Sequence, residues 1–327
     1  MSTNTETCAA PDFAKFYEDL KRRPTYVILG VQGSGTNLLA KLLTRIFDFS
    51  VIRDRSLIVE SGARLSDSPS TREVQRELRI VLRSLFPNPI RRRLLARAYY
   101  HQGREYLGIR SQVDRVEIAT PEDLAQFFYC YHAFAAGKAQ KGVKSDDIWQ
   151  HLAELDRVIP NRRYIHLVRD PRDNALSIVN KGWGPCHVYT ASRFVRDQLS
   201  IYLDEVARDP DRSMTVKYET LLNSPAEFLR EFAAFSGLAP CSDYEKQLES
   251  LNIRSTNCNK WKRLPTELLR MCETVLSREI VGCGYALATD ADLRMSRARR
   301  LQITCVDARK RAANRLRRLW SRRVLGR

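Results

Sequence analysis

Apolar positions along this chain follow two periods, and the switches between them outline its elements. Residues 25–31, TYVILGV, form an almost uninterrupted apolar run ending at a glycine, the pattern of a strand buried on both faces of a parallel sheet. Directly after it, Leu38, Leu39, Leu42, Leu43 and Ile46 recur at three- and four-residue spacing, which predicts a helix. Residues 49–52, FSVI, read as a second strand, RRYIHLV at 162–168 as another buried one, and SMTVKY at 213–218 as the next. Between them lie helical patterns at 121–141, 148–159 and 189–209, then at 224–238 and 265–276. Two carry start signals: Thr120 before Pro121, Glu122 and Asp123, and Ser224 before Pro225, the latter helix closing at Gly237.

Strands alternating with helices predict an α/β fold, a three-layer domain with a central parallel sheet flanked by helices. Ligands of such sheets bind at the carboxyl ends of the strands, which here are Gly30, Arg169 and Tyr218. The predicted division is one α/β body over 1–290 and a tail over 291–327. Within the body, 53–143 is the least patterned stretch and is read as an insert that meets the acceptor.

The joint between the first strand and its helix, GVQGSGTNLL at 30–39, has the form of a phosphate loop. Amides at a helix start lack intrahelical acceptors and make an anion site without any side chain. Gly30 and Gly35 have the separation of the common G-x-x-x-x-G-K-[ST] loop, but Thr36 and Asn37 stand where its Lys and Ser or Thr would be. The loop therefore predicts a phosphate ligand whose charge is met by other cations.

Three motifs together resemble the PAPS-dependent sulfotransferases, of the carbohydrate and bacterial type, which move a sulfuryl group from 3′-phosphoadenosine 5′-phosphosulfate (PAPS) to an acceptor. The loop is similar to that family's 5′-phosphosulfate loop. VRDPRDNALS resembles its 3′-phosphate segment, with Arg169 at a strand end and Ser177 eight residues on. VKYETLLNSPAEFLREFAAFSGL resembles its Y-E-x-L stretch. The resemblance implies a P-loop-type fold and PAPS as co-substrate, with no metal. It also implies that Gly33, Ser34, Gly35, Thr36 and Asn37 hold the 5′ end, that Arg169 and Ser177 hold the 3′-phosphate, and that Tyr218 packs on adenine. RSTNCNKWKRLP and GCGYAL resemble the region closing over the nucleotide, with Arg254, Lys260 and Trp261 as contacts; Arg254-Ser255-Thr256 departs from the R-K-G of the cytosolic branch. PAPS has no β- and γ-phosphates, so the missing lysine after Gly35 is expected.

One departure bears on catalysis. Where the family places Lys or Arg, two residues before Gly35, this chain has Gly33. Charge builds on the bridging oxygen during transfer, and losing one preorganised donor there costs roughly a hundredfold or more in rate. Lys144 matches the place of a family lysine facing the donor and is the candidate replacement. The acceptor hydroxyl needs a general base. Glu60 and His132 are the candidates, with His101 in the same insert, while His166 on the buried strand reads as a core histidine. The implied function is transfer of a sulfuryl group from PAPS to a hydroxyl of a saccharide or lipid-linked acceptor. The alternatives are a nucleotide-binding pseudoenzyme, favoured by Gly33, and a P-loop kinase, disfavoured by Thr36 in the lysine place.

Charge separates the tail from the body. Of the formal +17, residues 294–327 carry +12, from thirteen Lys or Arg against the single acid Asp307, leaving +5 for the rest. Cys305, Ala308, Ala312, Leu316, Leu319 and Trp320 form a narrow apolar stripe among the arginines, a basic amphipathic helix. Its candidate partners are an anionic membrane surface first, the body or a twin subunit next, and nucleic acid last. The oligomeric state is not readable. Eight cysteines without a C-x-x-C pair predict reduced thiols, and the chain shows no signal-peptide core and no membrane-length apolar run. A cytoplasmic protein is expected, peripheral at the inner membrane face if the tail binds lipid.

Overall fold

The computed structural model describes residues 12–324 apart from 55, 86–108, 180, 182, 252 and 254–257. Five strands, β1 (Thr25–Leu29), β2 (Phe49–Asp54), β3 (Gln140–Ser145), β4 (Arg162–Val168) and β5 (Ser213–Lys217), form one sheet in the order β2-β3-β1-β4-β5, and every pairing is parallel. The carboxyl ends of β3, β1 and β4 therefore meet at one edge, flanking the segment that leaves β1.

The side-chain alternation of β1 divides the core. Tyr26 and Ile28 face α2 (Thr36–Ile46), together with Phe49, Ile165 and Leu167. Val27 and Leu29 face the other layer, with Tyr164 and Val168. That second layer is the larger. In chain order it begins with α1 (Phe13–Lys21), α3 (Leu57–Ala63), α4 (Thr71–Leu85), the short α5 (Ile109–Val113) and α6 (Pro121–Ala135). It continues with α7 (Leu152–Val158), α8 (Pro171–Val179) and α9 (Val188–Arg208). On the α2 side lie α10 (Tyr218–Asn223), α11 (Pro225–Ser236) and α12 (Tyr244–Ser250), and the chain ends in α13 (Thr266–Gly282) and α14 (Arg297–Val324). Phe232 of α11 centres the α2-side core, its ring 4.6 Å from Phe47 and 5.9 Å from Phe49, Tyr26 and Phe228. Truncating it to alanine would cost about 3–5 kcal/mol.

Both helices start where their signals stand, but only Thr120 caps with its side chain; Ser224 is the N-cap of α11 without a side-chain hydrogen bond. Thr120 Oγ1 accepts from Asp123 N at 3.1 Å, and Gly237 closes α11 at φ 74°. Residues 148–159 divide into a 3-10 turn and α7.

The sequence pattern missed β3. Its residues, QKGVKS, look like a polar loop, yet all six are buried between β1 and β2. Two lysines are accommodated for separate reasons. Lys141 is buried and its Nζ donates to Leu20 O at 2.5 Å and Lys21 O at 3.2 Å, so it caps the last carbonyls of α1. Burial pulls its pKa down to about 8. Lys144 has an ion-pair partner, described below. The strand read at 213–218 is therefore β5, and β3 stands beside β1.

Candidate nucleotide site

The site begins where β1 ends. Gly30–Gly35 turns the chain into α2, with Gly35 as its N-cap at φ 102°. Thr36 opens the helix and is buried, whereas Asn37 is exposed. The first-turn amides have no intrahelical acceptors, so the loop presents them as an anion cradle. Ser34 is fully buried, and its Oγ has no hydrogen-bond partner among the described residues. A buried hydroxyl without a partner costs about 1–3 kcal/mol, which a ligand oxygen would recover.

Arg169 follows β4 and reaches this loop. Its Nη1 donates to Gly33 O at 2.8 Å, its Nη2 stands 3.9 Å from Asp173 Oδ2, and its guanidinium lies 5.0 Å over the Tyr218 ring. Ser177 of α8 is on the same side: a Cβ on Gly33 would stand 2.9 Å from its Oγ. Tyr218, the first residue of α10, packs on Gly35. Gly33, Ser34, Gly35, Thr36, Arg169, Ser177 and Tyr218 thus lie together around one turn.

The rest of the Arg-Asp-Pro-Arg-Asp turn is scaffolding that sequence reasoning did not assign. Arg172 holds Asp170 through Nε at 2.9 Å and Nη2 at 2.8 Å, and Glu273 of α13 through Nη1 at 2.5 Å. Its guanidinium lies 3.6 Å from the centre of the Trp261 ring. Asp173 is buried and accepts from Asn259 N at 2.6 Å and Trp261 N at 3.1 Å. Burial pushes its carboxyl above the usual value, against the pull of Arg169 and the Trp261 amide. The 3-10 turn Lys260–Arg263 is thereby pinned over the cleft, with Lys260 exposed and Trp261 half-buried. Tyr285 donates to Glu219 Oε2 at 2.6 Å, and a cavity of about 330 Å³ opens between Trp261, Tyr285 and the Asp170–Asp173 turn. Arg254 lies outside the described residues, as does His101.

On the other side of the loop, β3 supplies Lys144. It pairs in register with Ile28, near the end of β1, and its Nζ binds Asp146 Oδ1 at 2.5 Å. Asp146 is itself tied to the loop, its backbone carbonyl accepting from Gln32 Nε2 at 3.3 Å, while its carboxylate is 58 % exposed. Sequence reasoning missed Asp146 because β3 was not read as a strand; the signal available was the acid pair directly after VKS.

The two candidate bases sit apart. Glu60 is on α3, 3.5 Å from His151 Nε2 and 3.8 Å from Arg64. His132 is buried on α6 against Ser50, and burial pulls its pKa down to about 4. Ser50 pairs with Lys141, near the amino-terminal edge of the sheet, so the structure does not bring His132 to the cleft. His166 is fully buried beside Tyr202, as its strand position predicts.

A five-stranded parallel sheet with its glycine turn and a buried arginine in one cleft defines a three-layer α/β protein. The chain belongs to the sulfotransferase family, whose family model matches residues 24–243. Among solved structures it is similar to the sulfotransferase domain from the curacin biosynthetic pathway, at 16% identity and a TM-score of 0.52, with 81% of this chain and 99% of that one covered. It is also similar to a sulfotransferase from Mycobacterium avium, at 12% identity and a TM-score of 0.46, covering 84% and 80%. Another, from Alicyclobacillus acidocaldarius, has 13% identity and a TM-score of 0.41, covering 81% and 98%. No curated protein matches.

Proposed function

We propose that this sulfotransferase uses PAPS as donor and a hydroxyl of a saccharide or lipid-linked molecule as acceptor. The observation that carries the donor reading is the convergence of Arg169 and Ser177 on Gly33 of the turn that opens α2. The fit is chemical as well as spatial. Ser34 offers a buried hydroxyl, the α2 amides a positive dipole end, and Arg169 a planar fork suited to phosphate. Tyr218 and Trp261 add aromatic surface beside Arg169 and Arg172.

Lys144 supplies the cation that Gly33 lacks. As the sulfur–oxygen bond to the donor phosphate breaks and one to the acceptor oxygen forms, negative charge collects on the bridging oxygen, and an ammonium held beside the loop lowers that barrier. Asp146 takes the acceptor's proton in this reading, which its exposure and the hydrogen bond from Gln32 of the loop to its carbonyl support. Glu60, held by His151 and Arg64, serves the acceptor side in this reading.

Calorimetry with adenosine 3′,5′-bisphosphate against ATP tests the donor assignment. The bisphosphate binds more tightly, and Arg169→Ala weakens it by tenfold or more, since hydrogen bonds to charged groups contribute about 1.5–3 kcal/mol. Unchanged affinity in Arg169→Ala sinks the assignment. Gly33 favours one second reading, a nucleotide-binding pseudoenzyme; PAPS that purified protein leaves unconsumed with every acceptor extract would establish it.

A further inference from the structure

The sulfuryl-transfer site makes no use of α14, and the structure orients this helix in a specific way. Asp307, the single acid among thirteen Lys and Arg of 294–327, is turned inward and 1% exposed. Its Oδ1 accepts from Cys186 N at 2.5 Å and its Oδ2 meets Arg311 Nε at 3.0 Å. Asn314 Nδ2 lies 3.7 Å from Cys186 Sγ, two turns beyond Asp307 along the same face. The helix is thus held to the body on a face that includes Asp307 and Asn314. With its only carboxylate buried there, the outward surface carries cations alone.

That outward surface also has an apolar line. Leu301, Cys305, Ala308 and Ala312 follow one another at spacings of four, three and four, so they stack along one side of the helix, and all four are exposed. Leu301 is 66% exposed. Arg297 and Arg309, also exposed, flank the line on its two sides.

We propose that this face of α14 docks flat on the surface of an anionic phospholipid bilayer. Three occupants compete for it, and the chemistry selects among them. A second copy of the helix would set arginines against arginines with no outward acid on either copy. Nucleic acid would neutralise the cations but leave the apolar line in water. A bilayer with anionic headgroups meets both needs at once: phosphates for the arginines, and the acyl boundary for Leu301 and its neighbours. The docked Asp307 then holds the body at one orientation to the lipid. This inference is independent of the donor and acceptor assignments.

Flotation of the full-length protein with phosphatidylcholine vesicles, with and without phosphatidylglycerol, tests it. The protein floats with the anionic vesicles and not with phosphatidylcholine alone, and added salt weakens the binding. Leu301→Glu lowers the partition coefficient by about tenfold or more, and Arg309→Gln by about fivefold. Both positions are exposed, so the thermal midpoint stays unchanged; Ala308→Glu on the same line gives an independent reading should Leu301→Glu fold poorly. Failure to float with anionic vesicles overturns the proposal. So does wild-type flotation by both glutamate variants, tighter binding to duplex DNA than to the vesicles, or a dimer in solution that Leu301→Glu dissolves.

Discussion

The ring of Tyr218 fills the space that a side chain on Gly35 would need: a Cβ there would stand 2.4 Å from both Cδ2 and Cε2. Two elements distant in sequence, the turn after β1 and the start of α10, are therefore fitted at the one atom a glycine omits. Gly35 also has φ 102°, so the backbone resists a side chain even where space exists. Gly35→Ala is expected to lose about 1–3 kcal/mol of stability and at least tenfold in affinity for adenosine 3′,5′-bisphosphate. Denaturant melts and calorimetry check both. In a double-mutant cycle, Gly35→Ala should cost less in a Tyr218→Ala background than in the parent, because the clash is gone and only the strain remains.

Gly33 has a different neighbour. Its φ is 91°, and a Cβ would stand 2.9 Å from Ser177 Oγ. Restoring the cation that related loops carry is thus opposed by backbone and packing together. Gly33→Lys is expected to weaken nucleotide binding without raising turnover. A variant with increased turnover would show that the loop yields and that only the charge was missing.

Lys144 and Asp146 make a separable pair of predictions. Lys144→Ala is expected to lower kcat by roughly a hundredfold, with only a few-fold change in affinity for the bisphosphate. Asp146→Asn should lower kcat while leaving that affinity unchanged or slightly improved, since it removes a negative charge from beside the loop. Equal losses of turnover and affinity in Lys144→Ala would assign it to binding alone.

Asp173 ties the 3-10 turn to the cleft through the amides of Asn259 and Trp261. Asp173→Ala is expected to cost about 2–4 kcal/mol, because it also strips a carboxylate from buried Arg169. Trypsin should then cut at Lys260, Lys262 or Arg263 faster than in the parent protein, which mass spectrometry of early digestion products would reveal.

His132 and His166 make stability depend on pH. Burial pulls both down to about 4 from an ordinary value of 6.5. Between those values the unfolded chain binds protons that the folded one refuses, so stability present above pH 6.5 is lost as pH falls toward 4. Each histidine contributes a slope of up to about 1.4 kcal/mol per pH unit in that window. Urea melts across it should show a shallower slope in His166→Gln than in the parent. An identical slope would mean that His166 takes up its proton while folded.

Much of this was legible because it is local. The apolar runs at β1, β4 and β5, the Thr120 and Ser224 starts and the turn at Gly30–Gly35 each declare themselves within a few residues. Arg169 and Ser177 were legible too, since a strand end and one helix separate them. What escaped the pattern was β3, where Lys141 and Lys144 interrupt the apolar run. Their fitness for a buried strand depends on partners elsewhere: the carbonyls closing α1 for one, and Asp146 beside the loop for the other. Asp146 escaped for the same reason. His132 illustrates the converse, for a histidine named from its residue type proved to lie toward the other edge of the sheet.

By itself, then, the sequence determined the layer order of strand and helix, the glycine turn and the cationic excess of the tail, because backbone sterics, periodicity and charge are properties of short stretches. Tertiary structure alone decided that β3 would slide between β1 and β2, bringing Lys144 and Asp146 to the turn. It also decided that Tyr218 would rest on Gly35, and that Asp307 would face inward and leave only cations among the exposed charges of α14 in the described residues. These are pairings across tens or hundreds of residues. They are settled by which buried donors and acceptors find each other when the sheet closes, and no local pattern encodes that.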